Sequence, residues 1–394
     1  VPPRSLLTAA GLLGSLLTIT ACATPIEPDA SVDKPHGYVE GATELSEPQL
    51  TLATIDGGGE LALLDLIDES RTTVGEFEDV ASISTDGRFV FAAVPHGVTI
   101  IDTGVWTVDH EDHSHYYRSA PRLVGTVEGE GAAVVTGGGS RTAITFDDDG
   151  TSVLLDTDAL GGGEMVELER VTAELVAPFE ATTLVASGGT VSVLEQPGTQ
   201  ISCADPLGTI ATRVGVVIGC EDGAVLAVMD ADTVSLERVP YPSEVAEADR
   251  AVEFRGRPGR PTVAALAGTS GFWMLDTRER TWTRMPTDTP LLAVAAADDT
   301  GGNVVALASD GRFLTLDGET GATRAATEPL LTATVADATL LAGVELTVDA
   351  SRAYLNAAAE GVVFEIDYAD GARIARSFEV PASPLFFVET GRLS

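Results

Sequence analysis

The sequence predicts an all-β protein: a single β-propeller of eight blades, with seven as the alternative count, whose ring is closed by the C-terminal strand. Three observations carry this expectation. A glycine, a run of about five mainly β-forming residues and then an acid recur along the chain, and no helical period of any length interrupts them. Aromatic content is only 5% while glycines number 41, as suits short strands joined by tight turns. The first repeat has one strand too few and the end of the chain has one to spare.

In chain order, Arg4, the apolar run from Leu6 to Leu17 and then Ile19-Thr20-Ala21-Cys22 read as a lipoprotein signal over residues 1–21. Small residues precede a cysteine to be cleaved and acylated. The run is short for a membrane span, and no cationic stop-transfer cluster follows it. The mature chain is therefore expected at the extracytoplasmic face of the cell membrane, held there by lipid on Cys22 alone. Residues 22–48, rich in Pro, Asp and Glu, read as a flexible tether that contains His36, a candidate mobile ligand. Residues 49–394 are the expected propeller domain.

Within that domain the glycine-to-acid unit occurs at 59–65, 97–102, 150–156, 189–195, 223–230, 271–276, 311–317 and 361–367. The closing acids are spaced by about 43 residues, the length of one four-stranded blade. Each unit reads as strand, turn, strand, glycine turn, third strand with its acid, then a fourth strand. In the second unit these fall at 81–84, 89–94, 98–101 and 123–127. The unit around 187–195 is the least patterned, and sharing it with a neighbour gives the seven-bladed alternative. Residues 50–80 supply only three strands, so Pro384-Leu385-Phe386-Phe387-Val388-Glu389-Thr390-Gly391 is expected to complete the first blade.

The longest departure from the repeat, residues 103–120, lies between the third and fourth strands of the second unit. It holds three of the five histidines, in His110-Glu111-Asp112-His113-Ser114-His115, preceded by Asp109. Imidazoles with carboxylates are the donor set of a borderline-soft cation such as Zn2+. On a straight strand Glu111, His113 and His115 would share one face and His110 and Asp112 the other, whereas in a loop all can converge. Three protein ligands with a vacancy define an open site, and Asp109 is a candidate acceptor to orient the rings. The alternative is a solvated polar loop. His96 falls at a turn on the opposite side of the unit, and Asp147-Asp148-Asp149-Gly150 reads as an ordinary turn.

With the signal removed, Cys203 and Cys220 remain, and in an oxidising compartment they read as a disulfide. A pair of thiolate ligands is the rival, without C-x-x-C spacing to support it. The formal charge of −37, with Lys34 the sole lysine, repels nucleic acid and anionic headgroups. Acidity of this kind also serves solubility alone, so charge by itself does not argue for metal.

The residues Gly104-Val105-Trp106-Thr107-Val108-Asp109-His110 and His115-Tyr116-Tyr117-Arg118 resemble the AztD-type zinc metallochaperones. So do His36-Gly37-Tyr38-Val39-Glu40-Gly41-Ala42, Glu47-Pro48-Gln49, Gly219-Cys220-Glu221-Asp222-Gly223, Glu365-Ile366-Asp367 and Asp370-Gly371-Ala372-Arg373. The resemblance implies a β-propeller that stores zinc and passes it to the solute-binding protein of a zinc ABC transporter, without covalent chemistry. Where the family pattern carries further histidines, this chain has Ala173 to Val176 and Pro206-Leu207-Gly208. The implied ligands are thus His110, His113 and His115 with Asp109, Glu111 and Asp112, and His36 in transfer.

Other classes leave weaker marks. All five histidines lie before residue 116, so no histidine-based catalytic triad can be assembled from the later units, and no cofactor motif appears. The alternative to a metallochaperone is a non-catalytic propeller scaffold for protein–protein contacts at the cell surface that has lost part of the zinc site.

Overall fold

The computed structural model describes residues 37–109, 113–231 and 233–392. They form an all-β body of four-stranded antiparallel sheets that follow one another along the chain. The second sheet is typical: Ser82–Thr85, Phe89–Val94, Gly97–Asp102 and Arg122–Glu128 pair in sequence order. The poorly patterned unit forms a sheet of its own, from Leu175–Phe179, Thr182–Ser187, Thr190–Val193 and Gln200–Ser202. The sheet of Thr262–Leu266, Gly271–Asp276 and Thr281–Pro286 has three strands, with Arg255 bridging Ala264 where a fourth would lie. Pro258 and Pro261 follow Arg255 and cannot donate to a ladder, which keeps that strand from lengthening.

Thr51–Asp56, Glu60–Asp65 and Arg71–Glu76 make up the first sheet together with Pro384–Thr390, which pairs antiparallel with Thr51–Asp56. Strands inside the sheets are buried on both faces. Phe89–Val94 and Asn303–Ala308 therefore read as continuous apolar runs rather than alternating ones. Outer strands such as Glu167–Thr172 are exposed and charged, which discourages pairing with other chains.

In chain order the third sheet contains Arg141–Phe146, the fourth Leu175–Phe179, the fifth Val216–Cys220, the seventh Asn303–Ala308 and the eighth Ala353–Ala357. Among the described residues eight apolar clusters lie between sheets, each shared by two. Ala53 and Val90 meet between the first and second, Phe91 and Ile144 between the second and third, and Val305 and Leu355 between the seventh and eighth. Another cluster joins Leu52 of the first sheet to Tyr354 and Val363 of the eighth. Each large side chain buried in this way contributes about 1.5–3 kcal/mol. A cavity of about 450 Å³ receives Asp86, Gly138, Thr212, Gly259, Thr347 and Glu389, from six different parts of the repeat.

The recurring acids have a local task. Asp65, Asp102, Asp276 and Asp317 end their strands and accept backbone N–H groups two residues on, from Ile67, Gly104, Arg278 and Glu319. Each closes an Asx turn that sends the chain toward the outer strand. Asp156 caps the helix Thr157–Gly162 instead, accepting from the Ala159 N–H. The sequence predicts no helix; besides this one, Thr332–Ala336 and Ala338–Leu341 are short helical turns. Cys203 and Cys220 are joined in a disulfide, buried in the cluster between the fourth and fifth sheets. No helix among the described residues is long and apolar enough to cross a membrane.

Candidate metal-binding hairpin

The insertion of the second unit is a β-hairpin, Val105–Asp109 with Ser114–Arg118, and a third strand, Thr43–Leu45, pairs with its outer edge. Thr43–Leu45 belongs to the stretch that the sequence assigns to the tether. Its register sets Glu44 opposite Tyr117 and Leu45 opposite Tyr116. Within the hairpin, Val108 faces His115, Trp106 faces Tyr117 and Asp109 faces Ser114. Strand alternation therefore puts Trp106, Val108, His115, Tyr117 and Glu44 on one face and Thr107, Asp109, Ser114 and Tyr116 on the other.

The first face is an aromatic stack that ends in two imidazoles. The Arg88 guanidinium lies 3.8 Å from the Trp106 ring centre; Trp106 stacks on Tyr117 at 5.2 Å and Tyr117 on His115 at 6.1 Å. Arg88 is anchored below by a two-pronged bond to the buried Asp102, which Arg122 also reaches. Removing Asp102 would strand the buried Arg88 guanidinium, at a cost of about 3–5 kcal/mol, whereas without Arg88 the carboxylate would keep Arg122. Burial, reinforced by the Glu44 charge, pushes the Tyr117 hydroxyl up, so it stays protonated at neutral pH.

At the end of the stack the Nε2 atoms of His113 and His115 stand 3.2 Å apart. Two nitrogens bound at zinc's usual distance to a tetrahedral ion lie about 3.3 Å from each other. The Nδ1 of His115 is 2.6 Å from Glu44 Oε1. An ionised carboxylate only accepts, so this contact keeps the proton on Nδ1 and turns the Nε2 lone pair toward His113. A carboxylate behind a histidine in this manner is how metal-binding rings are commonly oriented.

Of the expected ligands, His113 and His115 converge. Asp109 is turned to the opposite face, where its carboxylate accepts the Ser114 hydroxyl at 3.1 Å, so the acid that orients a ring is Glu44. Cys22, His36, His110, Glu111 and Asp112 lie outside the described residues. Among the described residues no group of three or more His, Cys, Asp or Glu side chains is arranged to hold an ion. His96 sits at an exposed turn, 3.5 Å from Glu130. Glu44 was not legible as a partner, because only the pairing of two distant segments brings it to His115.

Both ends of the described chain fasten the hairpin. The Trp106 indole donates to the Gly37 carbonyl at 3.1 Å, and the Thr107 hydroxyl to the Gly391 carbonyl at 2.7 Å. Gly37 adopts φ +77°, and a Cβ there would stand 2.4 Å from a Val108 methyl, so only glycine fits. The opposite face of the hairpin roofs a cleft of about 390 Å³ bounded by Thr107, Asp109, Ser114, Tyr116, Arg257 and Arg392.

Serial four-stranded antiparallel sheets with a strand from the end of the chain paired into the first define the class: an all-β protein of β-propeller type. Within that class the chain has an AztD-type fold. The crystal structure of Citrobacter koseri AztD matches at TM-score 0.70 and 16% identity, over 87% of this chain and 97% of that one. Apo AztD from Citrobacter koseri matches at 0.71 and 15%, over 87% and 98%. The dihydro-heme d1 dehydrogenase NirN in complex with DHE matches at 0.54 and 14% identity, over 87% of this chain and 75% of that one. No family model and no curated protein sequence matches the chain.

Proposed function

We propose that this chain is an extracytoplasmic zinc-binding metallochaperone that stores Zn2+ at the histidine hairpin and passes it to the solute-binding protein of a zinc ABC transporter. The observation that carries this reading is the pair of Nε2 atoms at 3.2 Å with Glu44 behind His115. The pair offers two nitrogen donors at the spacing of a tetrahedral edge, and the packet His110, Glu111 and Asp112 is the sequence's source for a third. A remaining vacancy suits a cargo ion, which must be gained and surrendered without dismantling the fold. The likeness in fold to AztD points the same way. No covalent chemistry belongs to this reading.

The eight sheets are read as eight blades of one ring, closed by the C-terminal strand. Support comes from the cluster that joins Leu52 to Tyr354 and from the cavity bordered by six parts of the repeat. The lipid on Cys22 is the proposed anchor, with His36 the proposed carrier ligand during transfer.

The test is zinc titration of the mature protein and of the His110→Ala/His113→Ala/His115→Ala variant. Tight stoichiometric binding by the parent and its loss in the variant, with an unchanged β signal in circular dichroism, are expected. Equal affinity in the two would leave the hairpin a solvated loop. No binding by either would favour the non-catalytic scaffold.

A further inference from the structure

Residues 37–45 reach the metal-binding face both at Gly37 and at Thr43–Leu45. At one end the Gly37 carbonyl accepts from the Trp106 indole and its Cα lies against Val108, the residue paired with His115. At the other, Thr43–Leu45 adds three residues of ladder to the hairpin's outer strand and delivers Glu44 to His115. The residues of that short edge strand are half-buried at most, so apolar burial holds it only weakly. A charge-assisted bond between Glu44 and His115 ties it to the metal site.

We propose that residues 37–45 form a strap whose docking sets the zinc affinity of the histidine pair, with Glu44 the positioning residue through which the coupling runs. This rests on the zinc reading above. Glu44 faces Nδ1, the nitrogen turned away from His113, so it acts on the ring and not on the ion. With the strap docked, the Nδ1 proton is fixed and Nε2 is kept turned toward His113. With the strap lifted, the ring can rotate and exchange tautomers, and the ordering must be supplied when the ion binds. Coupling of this kind is reciprocal: whatever factor the strap adds to zinc affinity, zinc adds to docking of the strap. A protein that draws the strap away therefore loosens the cargo it is about to accept.

The experiment uses the full mature chain as wild type, Glu44→Gln, Glu44→Ala and Gly37→Val. Zinc affinity is measured by competition with a chromophoric chelator, and amide exchange over residues 38–45 is followed with and without zinc. Glu44→Ala is expected to weaken zinc about 10–100-fold. Glu44→Gln keeps an acceptor and loses the charge, so it should fall between alanine and wild type. Gly37→Val, which removes no donor, should also weaken zinc because its side chain displaces the strap from Val108. Zinc should slow exchange in the strap of wild type and not in that of Glu44→Ala. An Ala variant within twofold of wild type overturns the strap and leaves the zinc reading standing. A Gln variant as weak as Ala makes Glu44 a ligand of the ion and also overturns it. A wild type that binds no zinc removes the zinc reading and the strap with it.

Discussion

Replacing Cys203 and Cys220 together by alanine removes one covalent link between the fourth and fifth sheets, and its effect can be worked from the loop it closes. The bonded residues are 17 apart, for which the loop-closure model gives about 3 kcal/mol at 25 °C. Unfolding entropy near 2.1 cal/mol/K per residue, over roughly 350 residues, is about 0.7 kcal/mol/K, so the melting temperature should fall by about 4 °C. Both sulfurs are buried in the cluster with Val191 and Val216, and their lost contacts add to the decrease. Scanning calorimetry of the parent, the reduced parent and the double variant measures this directly. The reduced parent should melt below the oxidised protein, and the double variant, which also loses both buried sulfurs, at or somewhat below the reduced parent. Shifts under 1 °C, or alkylation of both thiols in unfolded protein never exposed to reductant, would refute the reasoning.

Cys22→Ala should move the protein from the membrane fraction to the soluble one without changing its circular dichroism, and persistence in washed membranes would count against the lipid anchor. His36→Ala should slow zinc transfer to an acceptor protein in stopped-flow more than it changes equilibrium affinity, and an equal loss in both would make His36 a resting ligand. Asp86 supplies the pH test. Burial pushes its carboxyl above the usual carboxylate range, while its Oδ1 accepts from the Arg88 and Phe89 N–H groups. A raised folded value contributes stability in acid, and that contribution is lost as pH rises through it. Asp86→Asn keeps both bonds and carries no charge, so it should melt above the parent at pH 7, with the gap closing toward pH 4. A gap that does not change with pH would contradict this.

The repeat was legible because its signal is local. The glycine turn and the acid at the end of the third strand lie within one unit, and the acid stands there because its carboxylate closes the next turn. The C-terminal strand was legible by arithmetic, as one strand short at the start and one left over at the end. What was illegible depended on register between distant segments. Nothing in Thr43-Glu44-Leu45 announces a strand, and only its pairing with Tyr116 to Arg118 gives Glu44 to His115. Asp109 looked equally suited to orient a ring, yet the pairing of Asp109 with Ser114 points it to the other side. The helix Thr157–Gly162 had its signals, Asp156 before it and Gly163 after, but six residues are too few to show a period.

The bond from Thr107 to the Gly391 carbonyl bears on when the site is finished as well as where it lies. A chain emerging vectorially exposes both histidines and Glu44 within its first third, and a local hairpin can form in microseconds. The segment that holds the hairpin's other face arrives only after all the remaining repeats have been made. A polypeptide halted before that point presents the ligands without their footing. The histidine pair thus gains its final support only when synthesis has passed residue 391, so truncated copies should make poor competitors for scarce metal.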